Sequence, residues 1–513
     1  MGADGRGRRA RGMNVQRALM RNTAWYGVVT AVGLVSGLLM SIVLARGLGP
    51  ARMGDLSYVL WAERTLTAVA TLGFTFATVR YTAEAFARGE NVRAWGVVRL
   101  FIRRQVIATS LVTAVSLPLV LAFAPADLRG PLVVVVATLF MITIESIYSH
   151  ALQGAQRYDI TARTSTIKMA FQFLVAALAI HFGADLTLLL VGMSLTLVFS
   201  CLLQRHRARQ VYAEGLGAPP EVMTAEARAF LLPLSIVAVL DAIVWDRSEV
   251  FFLGLYAPSE DIAYYSLAFG LAGRILMVSG IVVGALLPAF SALHGRGAPG
   301  EFSSLYRTSL RYVGLVGVPP AALMAALAPG LVVWLYGDAY LPAAPLVGVL
   351  SIVAVLSSMR GVAWAALRAV GDRRCALTAT AVAAVVNVAL AALLIPYWTT
   401  VGAVVANTAA QITATVWVFI GMSRTHRIDV PVLDFAKVIL AGALCLVVTW
   451  SLAGDVHAHD IVRMSLAGAA GVLVFFLACV PLRLIGAREW SFVTTFTRRL
   501  LAARAPGATT TSL

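Results

Sequence analysis

The sequence predicts an all-α polytopic membrane protein of about fourteen transmembrane helices. Two six-helix lobes repeat in parallel around a central cavity, and a further helix pair follows. Three observations lead there. The 513-residue chain is 59% hydrophobic and only 13% charged, with a mean hydropathy of +0.83, whereas soluble domains carry about 25% charged residues. Apolar runs of about 20 residues, long enough to cross a bilayer as a helix, recur along the whole chain. Arginine and lysine gather at alternate breaks between those runs.

The runs fall at about 22–45, 55–79, 104–125, 131–152, 164–182, 184–204, 229–253, 262–290, 310–336, 343–367, 375–396, 400–421, 434–453 and 461–482. A membrane barrel would show short segments of period two, so each run reads as a helix. The opening stretch, MGADGRGRRARGMNVQRALMRN, is basic and disordered-looking, like the start of a signal peptide. The apolar run behind it is too long for a signal peptide, which makes it an uncleaved first helix.

Net charge is +16. The basic residues are spread over many short loops rather than one patch, which argues against nucleic acid as a partner and for the positive-inside rule. Six lie in the N-terminal tail, six from Arg80 to Arg104 and five from Arg483 on, while the opposite loops hold Arg46, Arg52, Arg129 and Arg463. This bias predicts a multi-pass protein of the cytoplasmic (inner) membrane with both termini cytoplasmic. The four cysteines fall in or at the ends of apolar runs, and no disulfide framework is implied.

The chain repeats itself. ALQGAQRYDITARTSTIKMAFQFLVAALAI (Ala151 to Ile180) aligns without gaps on ALRAVGDRRCALTATAVAAVVNVALAALLI (Ala366 to Ile395), which places Gln172 opposite Asn387 as polar cavity candidates. GLGPARMGDLSY (Gly47 to Tyr58) is echoed by GLYAPSEDIAYYS (Gly254 to Ser266). Both echoes join helix n to helix n+6, so the repeats are parallel. The expected organisation is a basic cytoplasmic tail (1–21), an N-lobe of helices 1–6 (22–215), a C-lobe of helices 7–12 (216–425), helices 13–14 (426–482) and a cytoplasmic C-terminal tail (483–513).

Ionisable residues inside a membrane face the bundle interior and mark a pathway or a structural pair. Helix 2 carries Glu63 and Arg64, helix 4 Glu145, helix 5 Lys168, helix 7 Asp241, Asp246, Arg247 and Glu249, helix 8 Arg274 and helix 10 Arg360. Arg64 and Arg274 lie at about mid-depth on repeat-equivalent helices, a placement that suits a two-armed grip on phosphate. The competing use of Arg64 is a structural ion pair with a carboxylate of helix 4 or helix 7. Asp241 is the deep candidate for a cation or proton carboxylate. Asp246, Arg247 and Glu249 lie nearer the outer end, where a solvated vestibule or a salt-bridge cluster is the expectation, and Glu145 joins them as a cavity charge or coupling candidate. Glu145 and Lys168 are expected to reach toward their helix ends.

Other chemistry is missing from the sequence. There is no G-x-x-x-x-G-K-[ST], H-E-x-x-H, C-x-x-C or G-x-S-x-G. DVHAHD (Asp455 to Asp460) reads as a solvated loop rather than a metal site. Neither an enzyme nor a cofactor or metal is expected, since the outer loops are too short for a catalytic domain.

Five stretches in order resemble the polysaccharide flippases. LARGLGPARMGDLSYVL (Leu44 to Leu60) is similar to their first-loop signature, and FFLGLYAPSEDIAYYSLAF (Phe251 to Phe269) to their helix 7–8 junction. LLPAFSAL (Leu286 to Leu293), LYGDAYLPAAPLVGVLS (Leu335 to Ser351) and IPYWTTVGAVVAN (Ile395 to Asn407) resemble later junctions. The resemblance covers about residues 20 to 425 and points to the multidrug/oligosaccharidyl-lipid/polysaccharide exporter superfamily. It implies a flippase for an undecaprenyl-pyrophosphate-linked oligosaccharide in lipopolysaccharide or exopolysaccharide synthesis. It further implies alternating access, cationic cavity residues on the pyrophosphate, and a glycan polymerase or glycosyltransferases as pathway partners. Lipid-II flippases carry arginines in helices 2 and 8, where Arg64 and Arg274 stand, but also charges in helix 1. Helix 1 here, NTAWYGVVTAVGLVSGLLMSIVLA, has none, which favours a polysaccharide-repeat substrate. A lipid-II flippase and a cation-coupled multidrug antiporter remain the alternatives.

Overall fold

The computed structural model describes residues 3–484 apart from 223, most of 226–245, 285 and 455–459, with side chains from residue 31 onward except at a few positions in 278–285. Fifteen α-helices and two short 3-10 segments make up the described chain, and no strand occurs among the described residues. The all-helical expectation is met. Among the described residues ten helices are long and apolar enough to cross a membrane, and two of them contain two predicted segments each.

The first is α1 (Ala3–Thr71), which runs through the basic tail and predicted segments 1 and 2. The tail is therefore helical rather than disordered, consistent with its Ala, Arg, Met, Gln and Leu content. The predicted loop between the segments is reduced to a single break at Gly49 (φ 76°, ψ 170°), followed by Pro50. Glycine tolerates that conformation, and proline contributes no N–H to a following turn. Segment 2 ends sooner than its apolar run suggests. Leu72 and Gly73 both take positive φ, and α2 (Phe74–Ala87) starts anew. The other double helix is α13 (Arg373–His426), broken at Thr399 (φ 41°), three residues after Pro396.

Between them come α3 (Asn91–Phe123), α4 (Ala126–Gly154), α5 (Tyr158–His181) and α6 (Leu186–Val211). Next are α7 (Glu249–Tyr256), α8 (Ser259–Gly284), α9 (Leu286–Gly295), α10 (Pro299–Ala326), α11 (Ala328–Tyr336) and α12 (Ala344–Val370). The last two are α14 (Val432–Ala453) and α15 (Ile461–Cys479). Asp185, Asp372 and Asp460 cap α6, α13 and α15 by accepting the backbone N–H three residues on, the use short acidic side chains serve at helix starts. Outside the membrane spans, that amide of Cys375, followed by His426, holds the Asp372 carboxyl below its usual range.

The chain forms two compact units, residues 1–267 with 380–410, and residues 268–379 with 411–513. In the first, one core cluster gathers Phe74, Trp95, Phe101, Ile147 and Tyr212, and a second gathers Leu44, Leu56, Val59, Leu132 and Leu189. In the second unit, α10, α14 and α15 share a core of Ala322, Val438, Cys445 and Phe475. Its helices approach closely through small residues: a Cβ on Gly471 would strike Thr449 Oγ1, and one on Gly442 would strike Val318. Close approach of this kind replaces the hydrophobic drive that lipid removes. All four cysteines are free thiols.

Candidate functional site

Arg64 sits on the last third of α1 with its side chain exposed. The structural alternative, an ion pair with a carboxylate of α4 or α7, is not formed among the described residues. Glu145 and Glu249 have other partners, described below. The charges that reach Arg64 are those of Glu63 and of Arg247. Arg247 is buried and its backbone is left-handed (φ 60°) just ahead of α7. It lies within electrostatic range of Tyr265, Asp246 and Glu249 as well as Arg64. The two guanidinium groups repel each other, and the Asp246 and Glu249 carboxylates offset part of that repulsion at Arg247.

Glu145 does not snorkel. It is 6% exposed and its carboxylate accepts from Lys168 Nζ at 2.9 and 3.1 Å, from Ser200 Oγ at 2.5 Å and from Gln204 Nε2 at 3.0 Å. The two charges expected to reach separate helix ends are partners. Helices α4, α5 and α6 meet on this network.

Of the solvated vestibule or salt-bridge cluster expected around Glu249, the structure overturns the solvated vestibule. Glu249 is fully buried. Asn387 Nδ2 donates to its Oε1 at 2.5 Å and Asn407 Nδ2 at 3.0 Å, both from α13. Ser248 Oγ in turn donates to Asn387 Oδ1 at 2.7 Å. Arg247 beside it is buried too, and Asp246 is half-buried. The cause is the break at Thr399, which folds both arms of α13 against the start of α7. Sequence spacing carries no sign of it. The clue available was Asn387 itself, an amide in an apolar run.

The remaining candidates fall elsewhere. Arg274, on α8, belongs to the second unit and donates to the Gly270 carbonyl of its own helix at 2.6 Å. Gln172 is half-buried without a hydrogen bond among the described residues, unlike its repeat partner Asn387. Asp241 and most of DVHAHD lie outside the described residues. Arg360, buried in the second unit, donates to Gln411 Oε1 at 2.7 Å. Among the described residues no cluster of His, Cys, Asp or Glu could hold a metal ion.

The two echo segments meet in the first unit. Gly54 lies so close to Ser259 that a Cβ would overlap the Ser259 carbonyl, and Gly254 faces the Tyr58 ring in the same way. Ser259 Oγ donates to Asp55 Oδ1 at 2.6 Å. Beside this contact Trp61 stands between Tyr58 and Phe251, with ring centroids 5.7 and 6.1 Å away. The glycines of both echoes are thus contact residues, not merely turn formers.

Family models and solved structures match this chain. The polysaccharide biosynthesis protein model matches residues 19–294, and the lipid II flippase MurJ model matches residues 259–479. The structure is similar to the lipid II flippase MurJ in an inward closed conformation, with TM-score 0.69 and 12% identity over 89% of this chain and 98% of that one. It is also similar to an inward-facing multidrug resistance MATE family transporter, with TM-score 0.65 and 17% identity over 77% and 96%. A transporter of the MOP superfamily from Pyrococcus furiosus matches with TM-score 0.56 and 17% identity over 79% and 95%. No curated protein sequence matches. The chain belongs to the polysaccharide biosynthesis protein family and is a multi-pass membrane transporter of the multidrug/oligosaccharidyl-lipid/polysaccharide exporter superfamily.

Proposed function

We propose that this chain flips an undecaprenyl-pyrophosphate-linked oligosaccharide, a polysaccharide repeat unit, across the cytoplasmic membrane by alternating access, with both termini cytoplasmic. The observation that carries this reading is the exposed Arg64, within electrostatic range of the buried Arg247 and hydrogen-bonded to no carboxylate among the described residues. A pyrophosphate would relieve the repulsion between the two guanidinium groups and accept from both. Arg274 is kept as a further arm on the strength of the sequence repeat. The contact of Gly54, Asp55 and Tyr58 with Ser259 and Gly254 acts as a gate that must part once per cycle. Glycosyltransferases supply the substrate and a glycan polymerase consumes it.

Energy coupling falls to Glu249. Its carboxylate contacts neutral amides, and Arg247 lies in electrostatic range without touching it, so a proton or cation arriving there is balanced by a buried charge. The same network supports a second reading, a cation-coupled multidrug antiporter, which would depend on Glu249 and be indifferent to Arg64. Reconstitution decides between them. Proteoliposomes carrying a fluorescent lipid-pyrophosphate saccharide are treated with an impermeant quencher, and the accessible fraction is followed with time. The wild type is expected to expose the label, and Arg64→Ala to slow exposure by at least about tenfold, the loss of one charge-assisted contact. Equal rates for both proteins would refute the phosphate grip, and no movement of the saccharide by the wild type would refute the flippase reading.

A further inference from the structure

One face of α1 carries three polar groups in a row, Trp61, Arg64 and Thr67, spaced three residues apart. That spacing makes each the neighbour of the next on the helix surface. Trp61 is 9% exposed, and its indole N–H has no hydrogen-bond partner among the described residues. The buried Thr67 hydroxyl has none either. A threonine hydroxyl inside a helix can bond back to the carbonyl one turn before it, as Thr71 does to Thr67 at 2.7 Å. Arg64 lies between the two, with its side chain exposed.

Buried polar groups without partners cost stability and are uncommon in folded proteins, so each calls for an explanation. Packing alone does not give one here. The Trp61 ring stands between Tyr58 and Phe251, with centroids 5.7 and 6.1 Å away, and a phenylalanine could serve those ring contacts without stranding an N–H. Thr113 and Ser116 on α3 are unpartnered as well, but no ionisable residue lies three or four positions from either. What sets Trp61 and Thr67 apart is the arginine they flank.

We propose that Trp61 and Thr67 complete the substrate site of Arg64: the Thr67 hydroxyl donates to the pyrophosphate, and the Trp61 indole N–H donates to the ring oxygen of the first sugar. This rests on the flippase reading and assigns its sugar recognition. At 1.5 Å of rise per residue, Trp61 and Thr67 each lie about 4.5 Å along the axis from Arg64 and about 9 Å from each other. A pyrophosphate on Arg64 therefore reaches Thr67 on one side, and the sugar joined to it reaches Trp61 on the other. Trp61 is the sugar contact because it lies one turn from Tyr58, in the closed contact that parts during the cycle. Separation of Phe251 from Trp61 uncovers the N–H in the state that carries substrate. The indole offers a donor and no acceptor, and a ring oxygen is an acceptor common to all pyranoses.

The test measures binding of two lipids to the purified full-length protein: undecaprenyl pyrophosphate bearing one N-acetylglucosamine, and undecaprenyl pyrophosphate alone. Wild type should bind the sugar-bearing lipid about fivefold more tightly, the worth of one neutral hydrogen bond. Trp61→Phe keeps a ring and removes the N–H. It should lose that preference while binding the sugarless lipid like wild type, and its thermal unfolding should come no earlier. Thr67→Val should weaken both lipids by about tenfold, the loss of one hydrogen bond to a charged group, and Thr67→Ser should restore them. A Trp61→Phe protein that keeps the wild-type preference, or that weakens on both lipids alike, would overturn the sugar contact. Wild-type affinity in Thr67→Val would overturn the phosphate contact. The wild-type comparison needs no variant and stands even where Trp61→Phe fails to fold: binding of both lipids without preference refutes the role of the indole alone, whereas binding of neither refutes the flippase reading with it.

Discussion

Glu145 and Glu249 are both buried carboxylates on apolar helices of the same unit, yet one has an ammonium within reach and the other has amides. Around Glu145, Lys168 supplies the compensating charge and Ser200 and Gln204 fill the remaining lone pairs. Around Glu249, Asn387 and Asn407 supply dipoles, and the buried Arg247 lies within electrostatic range without contacting the carboxylate. Among the described residues no ion pair is formed by Glu249. The first site is electrically complete as built and has no reason to exchange anything with solvent. The second has no cation in contact with its carboxylate, and on the proposed function its protonation follows the transport cycle. A charge in a membrane helix is therefore not evidence of function by itself; what decides is whether the protein also supplies its counter-charge.

Removing that counter-charge should give the largest effect. Lys168→Ala strands Glu145 without its cation and should cost about 3 kcal/mol, the lower end for a broken buried pair, because Lys168 keeps 23% of its side chain exposed. Thermal unfolding in detergent reads it, and simultaneous Glu145→Gln with Lys168→Gln should recover most of the loss. Next comes Asn387→Leu, which takes one of two donors from Glu249 and should cost about 1–3 kcal/mol. A value near zero would mean that the amide is not needed and that the two sites differ less than their geometry implies. Ser200→Ala leaves Glu145 with its lysine and its glutamine, and the expected loss is about 1 kcal/mol. Smallest of all, Gln172→Leu should shift stability by less than about 0.5 kcal/mol, although the repeat places Gln172 opposite Asn387. An effect as large as that of Asn387→Leu would show that Gln172 has a polar partner in another state.

How much of this was legible in the sequence follows from what each feature depends on. The helices were, because bilayer thickness fixes the length of an apolar run. Their ends were not: Leu72 and Gly73 break an unbroken apolar stretch, and Gly49 with Pro50 kinks a helix where a loop was expected. Arg64 stands out as a candidate from hydropathy, since a charge in an apolar run is conspicuous on its own. The partnership of Glu145 with Lys168 was missed because 23 residues and a turn separate them, and depth along a helix says nothing about which face meets which neighbour. Glu249 was misplaced for a related reason. Its distance from the helix end suggested water, but the fold of α13 at Thr399 covers it. The repeat was the most productive signal of all. It marked Asn387 and the two glycine-bearing junctions that meet at Ser259. Carried six residues further upstream, the same register sets Glu145 opposite Arg360, two buried ionisable groups of opposite sign with their own polar partners.

The division of labour between the two carboxylates is tested most directly by transport under an imposed gradient. Wild type, Glu249→Gln and the paired Glu145→Gln, Lys168→Gln variant are reconstituted side by side, and flipping of a labelled lipid-pyrophosphate saccharide is timed with and without a proton or sodium gradient. Wild type and the paired variant should both accelerate under one of those gradients, while Glu249→Gln should flip at a rate the gradient does not change. A Glu249→Gln protein that still responds to the gradient, or a folded paired variant that has lost its response, would contradict the account.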